Sequence, residues 1–183
     1  MKPLDKLIQI LRIQKAGRHI APNSCLLDIG CADGAIFRHL RHKIQQGVGI
    51  DPNIIGNYQD SNYQLIRGNF PQDLPAGVPI FDTITMLAVL EHISVKEQPI
   101  LAANIFKHLR PGGKLLITVP APIVDKILEV LKLTRLIDGM SLDEHYGFDF
   151  STVRHTFSNS GLVCIKHERF QFGLNNLFVF QKT

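Results

Sequence analysis

The sequence predicts a doubly wound α/β domain, with a mainly parallel, seven-stranded sheet and helices on both faces. Three observations predict it. Short apolar runs alternate with segments of helical period through residues 24–120, and a parallel crossover requires a covering helix. The first run ends in an acid and a glycine turn, "LLDIGCADG" at residues 26–34. Residues of unusual chemistry then recur just past the ends of successive runs, where sheets of this kind bind their ligands.

In chain order, Leu4, Leu7, Ile8 and Leu11 fall at helical spacing with Lys2, Lys6 and Arg12 off that face, which predicts an amphipathic leading helix within residues 1–20. "CLLDI" (25–29) reads as a short buried strand. Gly34 opens a helix in which Ile36, Leu40 and Ile44 repeat every four positions. "GVGID" (47–51), "YQLI" (63–66) and "TITMLA" (83–88) are the next three strands, and the helix "PILAANIFKHL" leads to a fifth, "KLLITV" (114–119), announced by the turn "RPGG". Residues 121–150 carry a helical insert with Ile123, Ile127 and Leu131 on one face. Residues 151–183 read as a helix followed by a strand pair, "LVCIK" and "LFVFQK".

At 183 residues and 45% hydrophobic content the chain suits one globular domain, residues 1–183, with no room for a second. The formal net charge is +4, but 20 Lys and Arg are scattered among 16 acids, so no nucleic-acid partner is expected. No apolar run approaches the roughly 20 residues of a membrane span, and the start lacks the apolar segment of a secretion signal. Cys25, Cys31 and Cys164 are too few and too dispersed for a disulfide framework or paired zinc ligands. Reduced thiols and a cytoplasmic location are the expectation.

The first turn carries the chemistry. A dinucleotide site calls for G-x-G-x-x-G, and its second and third glycine positions are here Ala32 and Ala35. Asp28 at the strand end would repel a pyrophosphate and attract a cation. Asp51, at the tip of the second strand, suits the two hydroxyls of a ribose. Together they describe a positively charged nucleoside without pyrophosphate, and S-adenosylmethionine has those features. Taken singly, each acid could instead cap its own turn, as could Asp51 before Pro52 or Asn69 before Phe70 and Pro71.

Five ordered pieces, "LLDIGCADG", "GVGIDPN", "LIRGNFP", "FDTITMLAVLEHI" and "HLRPGGKLLITVP", resemble the class I S-adenosylmethionine-dependent methyltransferases, in particular their small type 11-like members. The resemblance spans about residues 24 to 120 and implies a Rossmann-like fold. It implies that Gly30, Cys31, Ala32 and Gly34 let the backbone approach the methionine part, with Asp28 organising the turn and the ammonium. Asp51, followed by Pro52, would bind the ribose, Asn69 and Phe70 would flank adenine, and Met86, Leu87 and Ala88 would line the side of methyl transfer. Ala32 departs from the glycine frequent in the family, and Asn69 replaces its usual acid. No [Asp/Asn]-Pro-Pro-[Tyr/Phe] follows the fourth strand, which argues against methylation of nucleobase amines. Glu91 and His92 lack the further acid that a metal site of the RNA 3′-end methyltransferases needs, since Ala88 stands there, so no metal is expected.

Transfer from a sulfonium is an in-line displacement that asks mainly for positioning and exclusion of water. A hydroxyl acceptor would also need a base. His145, in "SLDEHYGFDF", is the first candidate and His92 the second; each has an equally plain reading as a surface or helix-end histidine. The expected partner is a small-molecule acceptor, apolar or lipid-like, methylated on O or N. A catalytically silent nucleoside-binding module and an NAD-dependent oxidoreductase are the alternatives, the latter disfavoured by Asp28, Ala32 and Ala35.

Overall fold

The computed structural model describes residues 3–121 and 152–183. In chain order these form α1 (Pro3–Gly17), β1 (Ser24–Ile29), α2 (Ala35–His39), β2 (Ile44–Asp51), β3 (Tyr58–Gln59), β4 (Tyr63–Arg67), β5 (Phe81–Leu87), α3 (Gln98–His108), β6 (Leu109–Pro120), α4 (Thr152–Ser158), β7 (Leu162–Phe170) and β8 (Asn175–Lys182), with single 3-10 turns at Arg41–Lys43 and Leu90–His92. The strands make one sheet in the order β3-β4-β2-β1-β5-β6-β8-β7. From β4 to β6 the neighbours are parallel, while β3, β8 and β7 join antiparallel. The chain builds outward from β1 through β2 to β4, then returns to β1's other side with β5. That reversal opens a crevice at the carboxyl ends of β1, β2 and β5, the place where such sheets take ligands.

Two apolar layers sandwich the sheet. On one face Leu27, Ile84, Leu115, Ile117, Phe178 and Phe180 pack with Leu101 and Ile105 of α3 and Val153 and Phe157 of α4. On the other, Leu26, Leu116, Leu177 and Val179 meet Ile13 and Ala16 of α1 and Ile36 and Phe37 of α2. Each large side chain so buried contributes about 1.5–3 kcal/mol relative to exposure. The central strands β1 and β5 are buried on both faces; β1 accordingly carries the adjacent apolar pair Leu26 and Leu27, and in β5 even the alternating Thr83 and Thr85 are buried. Lysines close two helices: Lys43 Nζ donates to Gly17 O at 2.7 Å beyond α1, and Lys182 Nζ to Phe106 O and Leu109 O, both at 2.7 Å, beyond α3.

Three expectations are corrected. Among the described residues the sheet has eight strands rather than seven, because Tyr58–Gln59 adds a two-residue edge: Tyr58 pairs with Leu65, and its ring lies 5.9 Å from that of Tyr63. The second helix stops at His39 instead of running to Ile44; Leu40 already leaves helical geometry, and Ile44 pairs with Ser24 as the first residue of β2. On α1 the buried residues are Ile13, Ala16 and Gly17, whereas Leu7 and Leu11 are exposed. A Cβ at position 17 would lie 2.8 Å from Leu40 Cδ2, so the C-terminal half of this helix sets its docking.

Candidate functional site

β1 delivers Asp28 to the crevice one residue before it ends. The side chain is buried, and in the register of β1 against β5 it stands beside Thr85, whose hydroxyl donates to Asp28 Oδ1 at 2.6 Å. Burial pushes the Asp28 carboxyl up to about 7; the Thr85 bond opposes this and the negative charge of Asp51 adds to it. Near neutrality Asp28 is therefore poised between its two forms, and a cation placed beside it draws it to the charged one.

The turn after β1 is shaped by positive φ. Gly30 has φ 75, and a Cβ there would lie 2.3 Å from Val89 Cγ2, so only glycine lets this turn meet the turn after β5. Ala32 holds φ 44 and Gly34 φ 71. The turn is pinned by main-chain bonds from Gly30 N to Ile50 O (2.8 Å) and Gly34 N to Cys31 O (2.8 Å). Cys31 directs its side chain into the sheet, where a Cβ on Gly49 would be 2.8 Å from its sulfur, and burial pushes its thiol up. Cys31 therefore offers the crevice only backbone.

Asp51, also buried, ends β2 and uses both oxygens: Oδ2 accepts from Ala32 N at 2.9 Å and Oδ1 from Asn53 N at 2.8 Å. One carboxylate thus ties the first two turns together, and each oxygen retains lone-pair capacity for a further donor. Pro52 follows, exposed. After β4, Asn69 is exposed and closes a turn with Asp73, donating from N to Oδ2 at 2.7 Å, while Phe70 is half-buried and meets the His108 ring edge-on at 5.3 Å. After β5, the Met86 side chain is in the core, Leu87 and Ala88 are half-buried, and Ala88 has φ 60 with its N bonded to Thr118 O at 3.0 Å. His92 ends the next 3-10 turn, its N bonded to Val89 O at 3.0 Å. His145 and the insert from residue 122 to 150 lie outside the described residues.

The structure thus gathers Asp28, Gly30, Ala32, Asp51 and the Ala88 turn at one crevice. It adds residues the sequence did not single out: Thr85 under Asp28, Val89 against Gly30, and Gln9 of α1, whose amide donates to Asp33 Oδ1 at 3.3 Å. Their signals were positional, since each depends on a register or docking that only the folded chain defines. Among the described residues no cluster of three or more His, Cys, Asp or Glu could hold a metal.

Two buried acids and a glycine turn thus lie at the topological switch of a doubly wound α/β domain, the place where such folds take their ligands. The chain belongs to the methyltransferase domain family, whose model matches residues 5–167. Solved structures agree in fold. A possible exported protein from Bordetella parapertussis superposes with TM-score 0.67 at 17% identity over 93% of this chain, which spans 65% of that one. The N-methyltransferase NodS from Bradyrhizobium japonicum gives TM-score 0.63 at 16% identity, covering 97% of this chain and 94% of NodS. Magnesium protoporphyrin IX methyltransferase from Synechocystis, solved with S-adenosylhomocysteine bound, gives 0.62 at 15% identity, covering 97% and 83%. No curated protein sequence matches the chain significantly. The protein is an S-adenosylmethionine-dependent methyltransferase of the class I fold.

Gly30→Ala is expected to lower the unfolding free energy by about 1–2 kcal/mol from left-handed strain alone. Because the added methyl also forces Val89 back, S-adenosylhomocysteine affinity should fall with it. Thermal melting and titration calorimetry on the variant check both.

Proposed function

We propose that this enzyme methylates a small-molecule acceptor on nitrogen or oxygen, the acceptor being apolar or lipid-like. The reading rests above all on the paired acids at the tips of β1 and β2, which ask for a cationic nucleoside and leave the tips of β5 and β6 for its reaction partner. In this reading Asp28 and the Gly30–Gly34 turn hold the amino-acid end of the cofactor, Asp51 its ribose, and Asn69 and Phe70 its adenine. When bound, S-adenosylmethionine supplies a methyl group on a sulfonium. The protein's task is then to align the acceptor, exclude water and, for a hydroxyl, receive a proton. His92, in the turn after β5, and His145 are the candidate bases.

The relatives support a small acceptor by their printed chemistry: an N-methyltransferase, a magnesium protoporphyrin methyltransferase and a cyclopropane synthase from Mycobacterium tuberculosis. Cys25, Cys31 and Cys164 are free thiols, in keeping with a cytoplasmic setting. Among the described residues no helix is long and apolar enough to cross a membrane. Incubation with methyl-labelled S-adenosylmethionine and a panel of small amines, phenols, carboxylates and lipids should give labelled product with at least one apolar member. Cofactor binding without product from any member would overturn the small-acceptor reading and favour a silent module.

A further inference from the structure

The carboxyl end of the sheet carries apolar surface outside the crevice. Among the described residues two large apolar side chains are wholly exposed, Ile55 at 101% and Phe172 at 105%, and no other passes 66%. Ile55 lies in the turn after β2. Phe172 lies in the turn of the β7–β8 hairpin, which stands beside the tip of β6 because Pro120 pairs with Asn175. Both therefore stand at the end of the sheet where the crevice opens. Helix α1 joins them: Gln171 Nε2 donates to Ile8 O at 3.1 Å and Arg12 Nε to Asn175 Oδ1 at 3.3 Å, so the hairpin holds the first half of the helix while Leu7 and Leu11 stay exposed.

Phe172 is costly where it stands. Gln171 and Phe172 both have left-handed backbone, φ 50 and φ 56, ahead of Gly173 at φ 83. Glycine or asparagine takes such a position readily, and an aromatic ring wholly in water gains no packing to offset the strain. Single exposed apolar residues are ordinary, but two at full exposure on one end, one of them strained, mark a surface that sheds its water against something. The charge at this end is basic. Arg67 at the tip of β4, Arg169 near the end of β7 and Lys6 early in α1 are exposed, and none is in an ion pair among the described residues. The acids nearby are engaged or covered: Asp28 and Asp51 are buried, Asp5 is half-buried, Asp33 pairs with Arg38 at 2.6 Å, and Asp73 accepts from Asn69 N at 2.7 Å. Apolar side chains on three separate elements, with bare cations among them, do not make the continuous patch that a protein partner covers. They suit a soft layer that is apolar within and anionic at its surface, where single side chains insert and cations meet phosphates.

We propose that the crevice end of the sheet docks on an anionic lipid surface, with Phe172, Ile55 and the exposed face of α1 entering the headgroup layer and Arg67, Arg169 and Lys6 meeting its phosphates. Docked in this way the crevice opens onto the bilayer, and an apolar acceptor reaches it without crossing water. The purpose of the docking rests on the lipid-like acceptor proposed above; the docking itself is measured without turnover.

The test is flotation of the full chain with vesicles of phosphatidylcholine alone and of phosphatidylcholine mixed with phosphatidylglycerol. The wild type should float with the mixed vesicles, and salt should weaken the association. Phe172→Asn should cut partitioning by about tenfold, the worth of burying one aromatic side chain, while its melting temperature stays level or rises, because asparagine tolerates the left-handed position. Arg67→Gln and Arg169→Gln should each weaken binding to the mixed vesicles by about fivefold. Ile80→Asn, which changes an exposed apolar residue at the opposite end, just before β5, should float like the wild type. A wild type that floats with neither vesicle overturns the proposal, as does a Phe172→Asn variant that floats undiminished or an Ile80→Asn variant that loses as much. Light scattering supplies the remaining outcome: a wild-type dimer that Phe172→Asn abolishes would assign this face to a second copy of the chain and overturn the lipid surface. Flotation as expected without methylation of any lipid would refute the acceptor reading alone, so the two failures are distinguishable.

Discussion

Asp51→Ala is expected to lower affinity for S-adenosylhomocysteine by about a hundredfold, because the proposed ribose role of Asp51 would lose two hydrogen bonds to a carboxylate at about 1.5–3 kcal/mol each, partly regained by water. The structure adds a second consequence. Asp51 also accepts from Ala32 N and Asn53 N, so the alanine variant releases the glycine turn as well as the sugar. The unfolding free energy should therefore drop by about 1–3 kcal/mol, the cost of leaving such donors unpaired. Asp51→Asn separates the two effects: its side-chain oxygen can still serve one main-chain donor, so stability should recover more than affinity. Calorimetric affinity and denaturant unfolding on both variants check this, and an alanine variant binding like the wild type would refute the ribose assignment.

Asp28→Asn should move stability and binding in opposite directions. In the unfolded chain the Asp28 carboxyl titrates near its ordinary value of 3.8, and in the folded protein at about 7. Below pH 4 both states hold the proton and the group costs nothing. As pH rises from about 4 to 7 the unfolded state ionises while the folded one does not, so wild-type stability falls relative to the asparagine variant. The difference levels off above 7, at on the order of 4 kcal/mol for a fully desolvated group. Asparagine keeps an acceptor for Thr85 and has no charge to desolvate, so the variant should be the more stable protein at neutral pH. Its affinity for S-adenosylmethionine should nevertheless be lower, since the ammonium loses its counter-charge. In the wild type, binding requires the ionised acid, so affinity should fall by up to tenfold per pH unit below about 7 and be flat above it. Melting curves of both proteins from pH 4 to 8, with matching titrations, test the whole scheme. A wild type at least as stable as Asp28→Asn at pH 8 would sink it.

Asp28, Gly30 and Asp51 were legible in the sequence because each marks a strand end by local chemistry: an acid on an apolar run, a glycine where the backbone turns left-handed, an acid before proline. What lay hidden was set by distance along the chain. Thr85 supports Asp28 from 57 residues away, through a register that no short window contains. The apolar spacing of Leu4, Leu7, Ile8 and Leu11 is real, but Ile13 and Ala16 dock α1, because the sheet and Leu40 offer their surface to the second half of the helix. Ile44 keeps the helical spacing of Ile36 and Leu40 and is still buried, yet pairing with β1 claims it for a strand. Arg12 looked like solvent-facing charge, since its neighbours Asn175 and Glu91 arrive from distant segments.

The bonds from Arg12 to Asn175 and from Gln171 to Ile8 each span 163 positions. Closing so large a loop costs conformational entropy that only the finished sheet can offset. The first half of the opening helix therefore reaches its final seat only once the last hairpin has formed, whereas the second half meets Ile36 and Leu40 close by in sequence. Trimming the last strand should accordingly leave a chain whose beginning, and not just its end, is exposed to proteases.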